Sequence, residues 1–232
     1  MSWLVPPRRP SRELLDEPDL PSREMRQSLE DIDLVHTHWG GSRALARHLA
    51  PRVRALGRPA SILDVGAGSA TVARRLRASL SSAAGKVQVV ALDVQWRHLV
   101  AGRSFSPREP APLVCADAFR IPFSTRTFDF AVSTLFFHHF SPAENQAILG
   151  ELSRVSRHGF AVLDLRRHIV PELVLRLAGR RLFRAQTSVL DGIASVRQAY
   201  TPEEARDIAR SVTPTAHAVR VFPYGFLVTG TA

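Results

Sequence analysis

The chain has 232 residues, of which 45% are hydrophobic and 22% charged, so it can bury the core of one domain. Arginine carries nearly all of the basic charge, because Lys86 is the only lysine, and the formal net charge is +10. The arginines are scattered in short pairs, so nucleic-acid binding is not the preferred interpretation. With no apolar run of roughly 20 residues, no signal-peptide core and Cys115 as the only cysteine, we expect a cytoplasmic protein without a membrane span.

The first quarter of the chain differs from the rest. Five prolines within residues 1–21 predict an extended lead-in. Two helices are predicted after it, over residues 22–41 and 42–56. We therefore expect residues 1–57 to form an N-terminal extension with cap helices, and residues 58–232 to form the main domain.

From residue 61 onward, apolar strands alternate with helices. This pattern predicts a parallel sheet that helices cover on both faces. The predicted strands are 61–65, 87–94, 112–118, 128–136 and 158–165, and the predicted helices are 70–80, 95–103 and 142–156.

The end of the chain follows a different pattern. Residues 169–200 are predicted to be mostly helical and could cover a substrate as a lid. Thr201, Pro202 and Glu204 then form the sequence of a capping box. Two short strands separated by PYG, 217–222 and 226–230, predict an antiparallel hairpin at the end of the sheet.

The strongest chemical signal is LDVGAGSATVARRL, residues 63–76. A strand is predicted to end at Val65, Gly66 and Gly68 form a tight turn, and a helix follows. Ligands of open α/β sheets bind at the carboxyl ends of strands, and glycine lets the backbone approach a ligand closely. A dinucleotide loop would read G-x-G-x-x-G. Thr71 stands at the third glycine position, which argues against a pyrophosphate ligand.

Two acidic residues end neighbouring predicted strands. Asp93 ends the second strand, where it could accept hydrogen bonds from ribose hydroxyls, and Asp117 ends the third strand, where an adenine amino group could be met. The glycine loop and these two aspartates belong to four motifs, which occur in the order LDVGAGSA, ALDV, ADAFRIPFSTRTFDFAVSTLFFHHF and ELSRV-x7-LDL. Over about residues 55–232, the chain resembles the class I S-adenosylmethionine-dependent methyltransferases in this ordered set.

The resemblance implies a fold and a cofactor. The fold is α/β, a Rossmann-like doubly wound sheet of seven strands in the order 3-2-1-4-5-7-6, with strand seven antiparallel and a helical N-terminal extension. The cofactor is S-adenosylmethionine. By motif position, its methionine portion would be flanked by Asp64, Gly66, Ala67 and Gly68, its ribose by Asp93 and Val94, its adenine by Asp117 and Ala118, and Ser133 and Thr134 would lie beneath the methionine group.

Other activities are disfavoured by what the chain lacks. Short-chain dehydrogenases need a Tyr-x-x-x-Lys pair, and Lys86 has no such tyrosine. The N/D-P-P-F/Y marker of amino methylation on nucleic-acid bases is absent after the fourth predicted strand, where STLFFHHF stands instead. RNA or protein methylation and a cofactor-binding partner without catalysis stay open as alternatives.

The histidine pair in STLFFHHF suggests the chemistry. His138 and His139, with Asp164 near the end of the fifth strand, resemble the arrangement in small-molecule O-methyltransferases of natural-product pathways. The SVRQAYTPEEA segment is similar to methyltransferases encoded beside type III polyketide synthases, which implies a phenolic or quinonoid acceptor. Quinone C-methyltransferases share much of this pattern. The resemblance thus implies that one histidine acts as base and that Asp164 assists it.

Further residues are candidates for the substrate site or for a metal. Trp39, Arg166 and His168 are predicted to contact substrate from the N-terminal extension and the rim after the fifth strand. We predict no metal, because adjacent side chains point to opposite faces of a strand and diverge by about 100° in a helix. The same divergence predicts that one imidazole faces the reacting methyl while the other packs or orients the loop. The sequence does not indicate the oligomeric state.

Overall fold

A computed structural model describes residues 3–38, 41–105, 111–221 and 223–231. Within them, one seven-stranded sheet has the order β3-β2-β1-β4-β5-β7-β6. Every neighbouring pair is parallel except those that involve β7, which runs antiparallel to both β5 and β6. The predicted sheet is therefore confirmed. The strands are β1 (Ala60–Val65), β2 (Val87–Asp93), β3 (Leu113–Cys115), β4 (Phe130–Thr134), β5 (Phe160–Leu165), β6 (His217–Val221) and β7 (Gly225–Gly230).

Helices lie before the sheet in the chain and between its strands. The α-helices are α1 (Ser22–His38), α2 (Gly41–Ala55), α3 (Thr71–Ala84), α4 (Trp96–Arg103), α5 (Pro142–Val155), α6 (Ile169–Leu182), α7 (Gln186–Gln198) and α8 (Pro202–Arg210). The predicted capping box at Thr201 is present, and Ser141 forms a second one. Two short 3-10 helices span Leu14–Asp16 and Phe137–His139. Among the described residues, no helix is both long and apolar enough to cross a membrane.

The core lies on both faces of the sheet. Neighbouring residues of β1 illustrate this, because side chains alternate along a strand. Ile62 packs with Leu45 of α2 on one face, and Leu63 packs with Leu149 of α5 on the other; all are fully buried or nearly so. Burial on both faces explains why the central strands read as continuous apolar runs.

The predicted boundaries of the third and fourth strands are wrong. The fourth strand ends at Thr134 and not at residue 136, because Leu135 adopts a left-handed backbone with φ of 50°. The third strand is shorter than predicted, since the carboxylate of Asp117 accepts a hydrogen bond from the Phe119 N–H and forms a turn. Residues 169–200 are mostly helical, as predicted, and form two helices, α6 and α7.

The proline-rich lead-in is bound along its length, and residues 4–20 are called the N-terminal strap here. The guanidinium of Arg8 donates to the backbone carbonyls of His138, Phe140 and Gln198. The carboxylate of Asp191 on α7 accepts hydrogen bonds from two consecutive backbone N–H groups of the strap. These contacts hold the strap across the carboxyl ends of the central strands, so an extended segment contributes to the interior of the protein.

A pair of glycine substitutions tests the packing of α4. A Cβ at Gly102 would overlap with the backbone carbonyl of Ser69, in the loop after β1. Gly102→Ala should therefore lower the free energy of unfolding by about 1–3 kcal/mol, as overpacking does. Gly150→Ala in α5 is the control, because no atom lies within 4 Å of its Cβ position, and it should raise stability by about 0.5–1 kcal/mol. Urea unfolding measures both, and equal effects would contradict the packing.

Candidate active site

The loop after β1 is built around left-handed backbone conformations. Gly66 and Gly68 have φ values of +69° and +51°, which glycine adopts without strain. Apart from its chain neighbours, no atom of the described residues lies within 4 Å of a Cβ built on Gly68, so this face of the loop is open. The N–H of Gly68 donates to the Asp93 carboxylate at 2.7 Å, and Asp93 also accepts from the Gln95 N–H at 2.7 Å. The ends of β1 and β2 are thereby held together.

A cleft of about 530 Å³ opens over this loop. Its volume lies within the range of small-molecule sites, about 300–1,000 Å³. The sequence-predicted residues that line it are Gly66, Ala67, Gly68, Asp93, Val94, Thr134, His138 and His139. The structure thus brings residues from the ends of three strands, together with the histidine pair, to one cleft.

Four predicted cofactor residues lie outside the lining of this cleft. Asp64 and Ser133 are buried within β1 and β4, and burial raises the pKa of Asp64 to about 8, with a smaller contribution from the charge of Asp93. The Ser133 hydroxyl has no hydrogen-bond partner among the described residues. Asp117 is exposed and Ala118 is buried, and neither residue lines the cleft.

The histidine pair lies on a 3-10 helix instead of the end of a strand. The rings of His138 and His139 stack with their centroids 4.3 Å apart and an angle of 29° between their planes. The expectation that adjacent side chains diverge here is wrong, because the left-handed turn at Leu135 ends the strand and the tight helix aligns both rings. Both imidazoles therefore reach the same cleft.

His138 is buried between two carboxylates. Its Nδ1 donates to Asp164 Oδ1 at 2.7 Å, its backbone N–H donates to Asp164 Oδ2 at 2.9 Å, and its Nε2 lies 3.3 Å from Glu13 Oε1. Burial alone would lower the pKa of His138, but the negative charges of Asp164 and Glu13 outweigh it and raise the pKa to about 10. The two carboxylates thus favour the protonated imidazole.

Glu13 comes from the N-terminal strap. Its Oε1 accepts hydrogen bonds from Ser195 Oγ at 2.5 Å and Gln198 Nε2 at 2.7 Å, both on α7. Burial opposes ionisation, but the hydrogen bond and charge of His138 lower the pKa of Glu13 to about 2. Glu13 is not among the residues predicted from the sequence, since nothing in the proline-rich segment distinguishes it from Glu17 as buried.

His139 has different surroundings from its neighbour. Its side chain is 23% exposed, its Nε2 lies 3.8 Å from Glu13 Oε2, and its Nδ1 lies 3.6 Å from Asp16 Oδ2. Neither distance is a hydrogen bond, so both ring nitrogens are free to meet a ligand. Burial, followed by the positive charge of His138, lowers the pKa of His139. The neutral form of the second imidazole is therefore favoured.

The same three side chains could also hold a cation. Ligand atoms of Glu13, His138 and His139 lie within 4.8 Å of one another. The geometric argument against a shared ion is thus wrong, and the absence of a metal stays a prediction. In this geometry both nitrogens of His138 face carboxylates, which favours a proton at Nε2, and an ion there would have to displace it.

A smaller cavity of about 140 Å³ lies behind Glu13 and Asp164. Its wall is mainly apolar and comes from α1, β5, α6 and α7, with side chains such as Ile32, Val35, Leu163, Leu165, Leu175, Phe183 and Val196. Asp31 also lines this cavity, and its buried carboxylate already accepts hydrogen bonds from the backbone N–H groups of Arg184 and Ala185. The cavity therefore offers mostly apolar contact to a ligand.

The predicted substrate residues lie at the margin or outside the described region. Arg166 is half-buried and its guanidinium lies 5.6 Å from the Tyr224 ring. His168 caps α6, with its Nδ1 accepting from the Val170 N–H. Both lie outside the linings of the two cavities, and Trp39 lies outside the described residues. Their substrate roles stay predictions.

Part of the chain is similar to a known protein family. Residues 62–159 match the family model described as "Methyltransferase domain". A search among curated proteins gives no match. These residues are therefore similar to a methyltransferase domain.

Solved structures share the fold. A SAM-dependent methyltransferase from Aquifex aeolicus is 20% identical, with 74% of this chain and 81% of that chain covered and a TM-score of 0.53. The plantazolicin methyltransferase BamL, solved with a desmethylPZN analog and SAH, is 18% identical over 85% and 76%, with a TM-score of 0.61. Human N-acetylserotonin methyltransferase, solved with SAM, is 15% identical over 91% and 56%, with a TM-score of 0.64. The sheet is that of the Rossmann-like methyltransferase fold.

Removing the charge of Glu13 tests the buried ion cluster. Glu13→Gln should lower the pKa of His138, because one of the two carboxylates that stabilise its charge is lost. NMR titration of the imidazole carbons measures this, with Glu203→Gln on α8 as a distant control. Because the folded-state pKa of about 10 lies above the ordinary 6.5, His138 stabilises the wild type fully below pH 6.5 and less as pH rises through 10. An unchanged His138 titration in the variant would contradict this account.

Proposed function

We propose that the protein is an S-adenosylmethionine-dependent methyltransferase that methylates a hydroxyl of a phenolic or related small molecule. The observation that carries this proposal is the pair of stacked imidazoles that line the cleft, one between two carboxylates and the other beyond hydrogen-bond distance of its nearest carboxylates. The methyltransferase domain matched by residues 62–159 supports the cofactor.

The cleft fits this cofactor. The open backbone at Gly68 allows close approach of a ligand, and Asp93 lies at the end of β2, 8% exposed, with its carboxylate held by two backbone N–H groups. A carboxylate fixed in this way can still accept hydrogen bonds from a ribose diol. Thr134 and Val94 would complete the walls beside the methionine and ribose portions.

His139 would act as the general base. Bound S-adenosylmethionine supplies an electrophilic methyl group on a sulfonium. A phenol with a pKa of about 10 benefits from a base as its oxygen attacks. The lowered pKa of His139 favours its neutral form, and neither ring nitrogen has a hydrogen-bond partner among the described residues, so it can accept that proton. The nearby carboxylates of Glu13 and Asp16 would stabilise the resulting imidazolium.

His138 and its partners would position the base. A buried imidazole with both nitrogens beside carboxylates is poorly suited to take a further proton, and its pKa of about 10 keeps it charged. Its ring instead provides the plane on which His139 stacks. Asp164 would assist by fixing His138 through two hydrogen bonds, at a side chain and at a backbone N–H.

The second cavity supports an acceptor with an apolar part. It shares Glu13, Leu15 and Leu135 with the larger cleft, so the two spaces meet beside the histidine pair. A hydroxyl presented to His139 could place an attached apolar group in this cavity. Helices α6 and α7, which correspond to the predicted lid of residues 169–200, would form its outer wall.

Cofactor binding provides the first test. Calorimetry should detect S-adenosylhomocysteine binding to the folded wild type. Asp93→Ala should weaken it roughly ten- to hundredfold, since a hydrogen bond to a charged group contributes about 1.5–3 kcal/mol. Asp207→Ala, at an exposed ion pair of α8, is the control. The absence of binding by the folded wild type would refute the enzyme proposal.

Replacing the proposed base provides the second test. His139→Ala should keep S-adenosylhomocysteine affinity, while methyl transfer from labelled S-adenosylmethionine to a panel of phenols falls about 10²–10⁴-fold. Because the pKa of His139 is lowered, the acid limb of the wild-type pH–rate profile should lie below pH 6.5.

Two controls accompany this experiment. His158→Ala removes an exposed histidine at the opposite end of the sheet and should leave the rate unchanged. Addition of a chelator should also leave it unchanged, in line with the prediction of no metal. A normal rate in His139→Ala would reject the base and leave positioning of the acceptor as the source of catalysis.

A further inference from the structure

Helix α6 exposes an apolar face to solvent. Ile169, Leu173 and Leu177 follow one another at intervals of four residues, so their side chains share one side of the helix. Leu173 is 51% exposed and Leu177 is 76% exposed. On the other side, Leu175 and Pro171 are buried and line the smaller cavity. A helix that is apolar on both sides is normally covered on both sides.

Arginines flank this apolar stripe. Arg176 and Arg180 lie three residues after Leu173 and Leu177, and Arg181 lies four residues after Leu177. All three are exposed. Arg176 pairs with a glutamate on its own helix, whereas Arg180 and Arg181 form no ion pair within the part of the chain that the structure describes. Unpaired cations therefore lie beside the exposed leucines.

A tryptophan extends the same surface. Trp3 is 81% exposed, and the carbonyl of the next residue, Leu4, accepts a hydrogen bond from the N–H of Ile169 at the start of α6. An indole has an apolar body and one polar N–H, and it is favoured where an apolar phase meets water. The start of the strap thus places such a side chain near the end of the apolar stripe.

We propose that the outer face of α6, together with Trp3, docks on an anionic lipid surface. Apolar side chains flanked by arginine, with tryptophan at the margin, are the features of helices that lie in a membrane interface. The exposed arginines and the net charge of +10 favour an anionic surface over a second copy of the chain, which would carry the same positive charge. The net charge of +10 adds a general attraction to anionic lipid.

Docking would place the apolar cavity next to the lipid. The buried face of α6 contributes Pro171, Leu175 and Phe183 at its end to that cavity. An acceptor that partitions into lipid could then reach the cavity without crossing water. This consequence rests on the proposed function, whereas docking itself does not.

Vesicle sedimentation tests the proposal without cofactor or acceptor. The wild type should sediment with vesicles of phosphatidylcholine and phosphatidylglycerol and much less with phosphatidylcholine alone. The double variant Leu173→Gln/Leu177→Gln should lose this binding. Trp96→Gln/Val100→Gln is the matched control, because it removes two exposed apolar side chains at the same spacing from α4. Circular dichroism verifies that each variant is folded.

The charge contribution needs its own pair of variants. Arg180→Gln/Arg181→Gln should weaken binding to the anionic vesicles about thirtyfold. Arg43→Gln/Arg47→Gln removes the same charge from an exposed side of α2 and should have a far smaller effect. Equal loss in both variants would mean that net charge alone causes binding and would overturn the assignment to α6.

Three other results would overturn the proposal. The wild type could stay in the supernatant with every vesicle, or the folded leucine double variant could sediment as the wild type does. Light scattering could also show a dimer that the leucine substitutions dissociate, without any vesicle binding. That outcome would assign this face to a second copy of the chain. Because no step uses S-adenosylmethionine, each result is independent of the proposed enzyme activity.

Discussion

The protonated imidazole of His138 holds together the parts of the chain that form the candidate site. Asp164 at the end of β5 binds one ring nitrogen, and Glu13 of the N-terminal strap faces the other. Without the positive charge, two buried carboxylates would face each other across an apolar interior, which is a costly arrangement. This buried charge therefore helps to hold the strap, together with the hydrogen bonds of Arg8 and Asp191, where Leu15 and Asp16 line the cleft.

His138 and His139 favour different protonation states because their surroundings differ. His138 has a carboxylate at each nitrogen and is almost fully buried, so its protonated form is favoured. His139 borders the cleft, is close to that positive charge, and has carboxylates only beyond hydrogen-bond distance, so its neutral form is favoured. Enzymes that use two like groups in different roles separate their pKa values in this way. The stacked geometry lets one ring set the charge state of the other.

The sheet could be predicted from the sequence because its signals are local. Apolar strands, the glycine loop after Val65 and the capping box at Thr201 each depend on a few neighbouring residues. Glu13 could not be predicted, since its partners on α7 and beside β4 are remote in sequence and its own segment has no periodicity. The prediction that the two histidine side chains diverge was wrong for a related reason. The left-handed residue Leu135 ends the strand, although the apolar sequence pattern continues beyond it.

The charges around the pair also fit the proposed reaction. Glu13 and Asp164 are two carboxylates, and His138 contributes one positive charge, so the group has an excess of one negative charge beside His139. In the proposed transfer, the cleft loses the positive charge of a sulfonium, and His139 gains one when it accepts the proton of the hydroxyl. The total charge in the cleft is the same before and after. Such a fixed arrangement needs little reorganisation during the reaction, which is the main advantage of a preorganised polar site. The strap supplies one of the two carboxylates on which this compensation depends, so a segment outside the matched domain forms part of the proposed catalytic chemistry.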